Sequence, residues 1–283
     1  MAGPVLTASV VLAALALTLG APRLLPRWRA LRRMPGPGLL LWQAVSVAGV
    51  ACALLAAPVA VSTTGLDQPL LLGLALALSA LMVARLLLSG HQVGTDLRRR
   101  RQEHRELVDL VGRRLDDTSA AAGDVALPGV AVIAQGNPTA YCLPGRDRRI
   151  VLTQATLDRL GDAELRAVLA HEQGHLDARH DLLLELFTVL HEAVPRPLRV
   201  PSALAEVHLL AEALADRIAE QRTDHTDLAR ALVGMAPSAT AEVTARIRLL
   251  ARPPAPVHTR IAVTVLALAV LAVPCAVAVL ALS

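Results

Sequence analysis

The sequence predicts an α+β membrane protein, with four transmembrane helices and one polar domain between helices three and four. Three observations predict this class: four long apolar segments, a polar stretch over residues 89–260, and β-rich runs followed by helical patterns within that stretch. Only 18% of the 283 residues are charged, whereas about a quarter is typical of a soluble domain. The composition therefore excludes an ordinary soluble globular protein.

Four segments are long and apolar enough to cross the roughly 30 Å hydrocarbon layer as helices. They cover residues 5–21, 39–61, 70–88 and 261–282. No basic residue precedes the first segment, so we expect a retained helix rather than a cleaved secretory signal. The predicted organisation is three transmembrane helices in 1–88, one domain in 89–260 and a fourth helix in 261–283.

Arginine predicts how these helices are oriented, because basic residues accumulate in short loops on the cytoplasmic side. The sequence contains no lysine, and the loop 62–68 carries only Asp67. The arginines that flank the apolar segments are Arg23, Arg27, Arg29, Arg32, Arg33, Arg85, Arg98, Arg99, Arg100, Arg101 and Arg260. They predict a multi-pass protein of the cell membrane with its N-terminus outside and the domain in the cytoplasm. The 98–101 run is best explained as a stop-transfer anchor, with recruitment of acidic lipid as the alternative.

The first part of the domain has short runs of β-forming residues separated by turn residues. The runs are 130–134, 139–143 and 149–153, and the breaks are Gly136-Asn137-Pro138 and Pro144-Gly145. Such runs and breaks predict a small antiparallel sheet. A charged amphipathic pattern before them predicts a short helix over 107–115.

The second part of the domain is helical by its pattern. From Asp162 onward, apolar residues recur at intervals of three and four positions. After several prolines, Ser202 is the predicted N-cap of another helix over 203–222.

The first of these helices contains His171-Glu172-Gln173-Gly174-His175. Two histidines four residues apart project from the same face of a helix, so both imidazoles can bind one tetrahedral zinc ion. Glu172 lies next to that face, where it can take a proton from water as a general base. The alternative is a pair of surface histidines that flank a glutamate.

A catalytic zinc ion needs a third protein ligand and an open position for water. The later helix offers Glu212 as that ligand and, one turn on, Asp216 as a hydrogen-bond acceptor that orients a ligand histidine. His208 lies one turn before Glu212, on the same face of the predicted helix. It is a candidate for stabilising the transition state. The alternative is an ordinary residue on the surface of the helix. The rival third ligands are His180, Asp181, His191 and Glu192.

Four segments around these motifs carry a resemblance to known enzymes. They are 137–145 (NPTAYCLPG), 149–153 (RIVLT), 167–175 (AVLAHEQGH) and 179–181 (RHD). With the distal Glu212 and Asp216, they resemble two families of integral-membrane gluzincin peptidases, the HtpX-like peptidases and the BlaR/MecR-type antirepressor peptidases of metallopeptidase family 56. The resemblance covers about 126–250. It implies that His171, His175 and Glu212 bind one zinc ion, that Glu172 is the general base and that Asp216 supports a ligand.

The order of the apolar segments separates the two families. The BlaR/MecR type resembles this chain in having three helices before a cytoplasmic zinc domain and a fourth after it, whereas HtpX-like proteins usually have the motif after two. The chain ends at Ser283, so no extracytoplasmic penicillin-binding sensor domain is expected. The resemblance therefore implies a signal-induced endopeptidase that acts on a cytoplasmic transcriptional repressor.

The sequence also leaves two other functions open. The first is HtpX-like quality control of membrane proteins, and the second is a non-catalytic signalling scaffold with structural zinc. Structural zinc sites are usually rich in cysteine, yet Cys142 is the only cysteine in the predicted domain. Direct nucleic-acid binding is not expected, because membrane topology accounts for the arginine runs and aromatic residues are only 1% of the chain.

Overall fold

The computed structural model describes residues 2–64, 66–114, 129–134, 136–145, 148–236 and 240–282. The described chain is mainly helical and contains one four-stranded sheet. It divides into two compact units. The helical unit comprises Met1–Thr95, Leu184–Leu210 and Pro254–Ser283, and the sheet unit comprises Asp96–Leu183 and Ala211–Pro253.

The helices and strands follow one another in simple succession along the chain. The helices are α1 (Ala2–Leu15), α2 (Ala21–Leu24), α3 (Pro35–Thr63), α4 (Pro69–Val111), α5 (Gln154–Arg159), α6 (Asp162–Asp177), α7 (His180–Ala193), α8 (Pro201–Ala219), α9 (His225–Met235), α10 (Ala241–Leu250) and α11 (Val257–Leu282). The strands are β1 (Gly112–Arg114), β2 (Val130–Ile133), β3 (Ala140–Leu143) and β4 (Arg149–Thr153).

Four helical segments of the described residues are long and apolar enough to cross a membrane. They are Gly3–Arg27, α3, α4 and α11, and each contains one of the apolar segments predicted from the sequence. These helices indicate a membrane protein, while the orientation of the chain stays a prediction. α4 has 43 residues, so at 1.5 Å per residue it is about 65 Å long, twice the thickness of the hydrocarbon layer.

Within the helical unit, α3 packs along both α1 and α11 and is the most buried of the four segments. Pro58 lies inside α3 and has no N–H for a backbone hydrogen bond. The hydroxyl of Ser79 on α4 lies 2.8 Å from the carbonyl oxygen of Ala53 and 3.2 Å from that of Leu54, and it accepts from the N–H of Ala57 at 2.9 Å. A neighbouring helix therefore satisfies the backbone groups around the proline, as an apolar environment requires.

The sheet has the strand order β1-β2-β4-β3, which corrects the predicted all-antiparallel arrangement. β3 and β4 are antiparallel, with Tyr141 opposite Val151, and β1 is antiparallel to β2. β2 and β4 are parallel, because β2 pairs with the far edge of β4 instead of forming a hairpin with β3. The turn residues Gly136-Asn137-Pro138 therefore lie between two strands, β2 and β3, that pair with opposite edges of β4.

Successive side chains of a strand point to opposite faces of the sheet, and both faces of this sheet are buried. One face packs against α6 and contributes Val130, Ala140, Cys142, Ile150 and Leu152. The opposite face packs around Val108 of α4 and contributes Ala131, Ile133, Tyr141, Leu143 and Val151. The sheet is thus held between α6 and the last turns of α4.

Two predicted helices have different bounds in the structure. Residues 107–111 are the last turn of α4, and the chain then enters β1 at Gly112, a residue with low helix propensity. Residue 115 of that predicted helix lies outside the described residues. The helix predicted over 203–222 is α8, which begins at Pro201 and ends at Ala219. Ser202 is therefore inside the helix and not its N-cap, because proline is favoured at the first helical position.

Candidate metal centre

The motif His171-Glu172-Gln173-Gly174-His175 lies in the second half of α6, which begins at Asp162 as predicted. The carboxylate of Glu164 accepts the backbone N–H of Gly161 at 3.1 Å and so caps the start of the helix. Leu165, Val168 and Leu169 bury the first turns against the sheet. This anchoring fixes the rotation of α6 and therefore the direction in which the motif projects.

Glu212 and Asp216 lie one turn apart on α8, in the part of that helix that belongs to the sheet unit. Gly174 of the motif allows the two helices to approach closely. A Cβ atom on Gly174 would lie 3.3 Å from the carbonyl oxygen of Ala215 and 3.3 Å from the Cβ of Ile218. The glycine in the motif thus sets the separation between the histidines and the distal carboxylates.

A bulkier side chain at this position is expected to separate α6 from α8. Gly174→Val should weaken zinc binding at least tenfold, which is about 1.4 kcal/mol, because Glu212 moves away from the histidines. The measurement is zinc affinity by competition with a chelator on the protein in detergent. Gly73→Val is the matched control, since a Cβ there has no atom within 4 Å. Equal affinities for the two variants would contradict this role of Gly174.

Three ligand atoms converge between α6 and α8. His171 Nε2 lies 3.1 Å from His175 Nε2, and the Glu212 carboxylate oxygens lie 3.3 Å from His175 Nε2 and 3.4 Å from His171 Nε2. A tetrahedral zinc ion with bonds of about 2.0–2.1 Å has ligand atoms about 3.3–3.4 Å apart. Among the described residues, these three form the grouping of histidine, cysteine and acidic side chains suited to a metal ion. The donor set and its spacing therefore fit zinc.

The second ring nitrogen of each histidine also has a partner. His171 Nδ1 lies 2.9 Å from an oxygen of Asp216, and His175 Nδ1 lies 2.7 Å from Nδ1 of His180. Histidines that bind metals usually donate their other N–H to such a partner. His180, proposed as a rival third ligand, therefore contacts His175 at the nitrogen that points away from the three ligand atoms. Among the described residues, the group suited to a metal ion also does not contain the other candidates for the third ligand, which are Asp181, His191 and Glu192.

Burial and neighbouring charges both shift the pKa values of the proposed ligands. Burial lowers the pKa of His171, but its hydrogen bonds to Asp216 and Glu212 outweigh burial and raise that pKa to about 9. Burial raises the pKa of Glu212, yet its contacts with His171 and His175 and the charge of Arg246 hold that pKa far below its ordinary value. Glu212 is therefore an anion at neutral pH, as a zinc ligand must be.

Glu172 lies in the motif but outside the group of three ligand atoms. It is buried, with 7% of its surface exposed. Burial raises the pKa of Glu172, and the neighbouring histidines only partly oppose this shift. A carboxylate with a raised pKa is better matched to accepting and returning a proton near neutral pH.

Arg246 on α10 is a residue of the site that the sequence analysis missed. Its guanidinium makes two hydrogen bonds to Asp216, at 2.9 Å and 2.6 Å, and lies 2.8 Å from the Glu212 carboxylate. Only 8% of the residue is exposed. An arginine in a charged amphipathic helix usually faces solvent, so no local pattern indicated that Arg246 is buried between two acids.

Removal of the Arg246 charge is expected to destabilise the protein. Arg246→Met keeps an apolar stem of similar length but leaves Asp216 buried without its cation, and such losses cost about 3–5 kcal/mol. The measurement is denaturant unfolding in detergent, followed by circular dichroism. Arg248→Met lies on the same helix at an exposed position and is expected to change the free energy of unfolding by less than about 0.5 kcal/mol. Similar effects of both variants would show that the buried ion pair does not stabilise the fold.

His208 is exposed and lies on α8 one turn before Glu212. The three-residue grouping of possible metal ligands does not include it. Its suggested role in stabilising the transition state stays a prediction.

Residues 102–196 match the model of peptidase family M48. No curated protein and no solved structure gave a significant match. The matched residues include His171, Glu172 and His175 and end before Glu212 and Asp216. The match relates this part of the chain to metallopeptidases. It names family M48, whereas the BlaR/MecR-type resemblance implies family 56, so the finer assignment stays a prediction.

Proposed function

We propose that this protein is a membrane-bound, zinc-dependent endopeptidase that hydrolyses peptide bonds on the cytoplasmic side of the cell membrane. The observation that carries the proposal is the spacing of three ligand atoms, from His171, His175 and Glu212, at the edges expected for a zinc tetrahedron. The match to a metallopeptidase family supports it independently. One zinc ion held by three protein ligands leaves a position for water, as a catalytic site requires.

The residues around this site have separate roles in peptide hydrolysis. A bound zinc ion supplies Lewis acidity, which makes a water molecule more acidic and polarises a carbonyl group. Asp216 holds the ring of His171 in place, and Arg246 holds Asp216. Glu172 accepts a proton from the attacking water as the new C–O bond forms. It then donates that proton to the leaving amine as the C–N bond breaks.

The sheet supplies a place for an extended substrate. A strand can take up such a segment where one of its edges is unpaired. β2 lies between β1 and β4, whereas β3 is at the end of the strand order and pairs with β4 alone among the described strands. Ala140 and Cys142 of β3 face α6, the helix that carries the motif. We therefore propose that a substrate segment adds to the free edge of β3 by main-chain hydrogen bonds.

Removal and return of the metal tests the proposed activity. The purified protein in detergent should cleave an unstructured protein such as casein, lose this activity after treatment with a chelator, and regain it when zinc is added back. Zinc binding without any cleavage would favour the scaffold with structural zinc. Cleavage that is unchanged without the metal would contradict the proposal.

The proposed substrate class is a cytoplasmic transcriptional repressor. This part of the proposal rests on the BlaR/MecR-type resemblance and on the order of the apolar helices. Proteomics of a deletion strain tests it. A single stabilised DNA-binding protein would support the repressor, and many stabilised membrane proteins would favour quality control.

A further inference from the structure

His180 is the first residue of α7, and only 2% of its surface is exposed. Arg179, directly before it, has a backbone φ of 48°. This value lies in the left-handed region, which residues other than glycine rarely adopt. A continuous helix would direct residue 180 away from residue 175. The left-handed turn at Arg179 ends α6 and brings the ring of His180 back against His175, with 4.8 Å between ring centroids.

The contact between these rings joins Nδ1 of His180 to Nδ1 of His175 at 2.7 Å. At this distance one nitrogen donates a proton and the other accepts it. His175 turns Nε2 toward His171 and Glu212, and a histidine binds a metal through an unprotonated nitrogen. A metal-binding His175 must therefore carry its proton on Nδ1, and His180 must accept that proton's hydrogen bond.

We propose that His180 is a positioning residue that holds His175 in its metal-binding tautomer by accepting a hydrogen bond at Nδ1. This inference rests on the proposed zinc function. The two ligand histidines then have different hydrogen-bond partners at Nδ1. The partner of His171 is an anionic carboxylate, and the partner of His175 is a neutral imidazole. His180 itself does not contact the metal or the substrate in this assignment.

The assignment leaves one buried nitrogen unpaired. If Nδ1 of His180 accepts, its proton is on Nε2, and this nitrogen is buried without a hydrogen-bond partner among the described residues. An unsatisfied buried donor costs about 1–3 kcal/mol, which the hydrogen bond to His175 and the metal that His175 binds must offset. The opposite tautomer would make Nδ1 of His180 the donor, and it would place the proton of His175 on Nε2, where it blocks the metal. Only the first arrangement is compatible with the three converging ligand atoms.

Two variants of the same shape separate hydrogen bonding from packing. Asparagine has an oxygen near the position of Nδ1, whereas leucine has a methyl group there. We expect His180→Leu to raise the dissociation constant for zinc about 10–100-fold, which is typical for the loss of a ligand's supporting partner. His180→Asn should bind zinc within a few-fold of the wild type. Equal affinity of both variants, whether normal or weakened, would overturn the proposal.

The wild-type protein provides a test that does not depend on how the variants fold. In protein labelled with ¹⁵N at histidine, in detergent, nuclear magnetic resonance distinguishes protonated from unprotonated ring nitrogens. With zinc bound, we expect His175 to be protonated at Nδ1 and His180 at Nε2. Protonation of His180 at Nδ1 would overturn the assignment. Failure of the wild type to bind zinc would instead contradict the proposed function, so the two failures are distinguishable.

Discussion

Replacement of Glu172 by glutamine is expected to lower the rate of peptide hydrolysis by about 10²–10⁴-fold, the usual contribution of a general base. The amide has nearly the shape of the carboxylate but cannot accept the proton of the attacking water. Zinc affinity should stay the same, because Glu172 is outside the three-residue grouping of ligand atoms. The measurements are kcat on an unstructured substrate and zinc content of the purified protein.

A matched variant on the same helix controls for the loss of one carboxylate. Glu164→Gln should keep full activity, because glutamine can also accept the N–H of Gly161 at the start of α6. Equal cleavage by Glu172→Gln and the wild type would reject Glu172 as the base, and with it the proposed mechanism.

Replacement of Glu212 by glutamine is expected to weaken zinc binding by more than about 100-fold, or about 2.7 kcal/mol. The substitution removes the anionic member of the ligand set and leaves two neutral imidazoles beside the cation. Competition with a chelator measures the affinity. Asp181→Asn makes the same chemical change at a rival ligand and should leave the affinity unchanged.

Full zinc content in Glu212→Gln would show that another residue is the third ligand. The remaining rivals would then be His180, Asp181, His191 and Glu192. Loss of zinc in Asp181→Asn, with retention in Glu212→Gln, would identify Asp181 directly.

Local patterns predicted much of the fold because they depend on residues close together in the chain. Runs of apolar residues predicted segments that lie within the four long helices, and the intervals within 162–177 predicted α6. The two histidines of the motif share one face because of helical geometry alone. Glu212 was also accessible to sequence reasoning, because an acid on a helix rich in alanine and leucine needs a compensating partner.

The features that sequence reasoning missed depend on contacts between distant parts of the chain. The pairing of β2 with β4 depends on which edge of β4 is free, and the turn residues do not encode that choice. Arg246 is 30 residues from Asp216 and meets it because α10 folds back against the site. His180 was predicted only as a rival third ligand, because the direction of its ring toward His175 depends on the left-handed backbone at Arg179.

The guanidinium of Arg246 also changes the net charge of the proposed metal site. When both ligand histidines are neutral, as metal binding requires, ionised Glu172, Glu212 and Asp216 carry three negative charges, and Arg246 cancels one of them. A divalent ion makes this buried cluster electroneutral, whereas a monovalent ion leaves an excess anion and a trivalent ion an excess cation. Uncompensated charge is costly away from water. The charge of the described side chains thus fits the divalent ion of the proposed function.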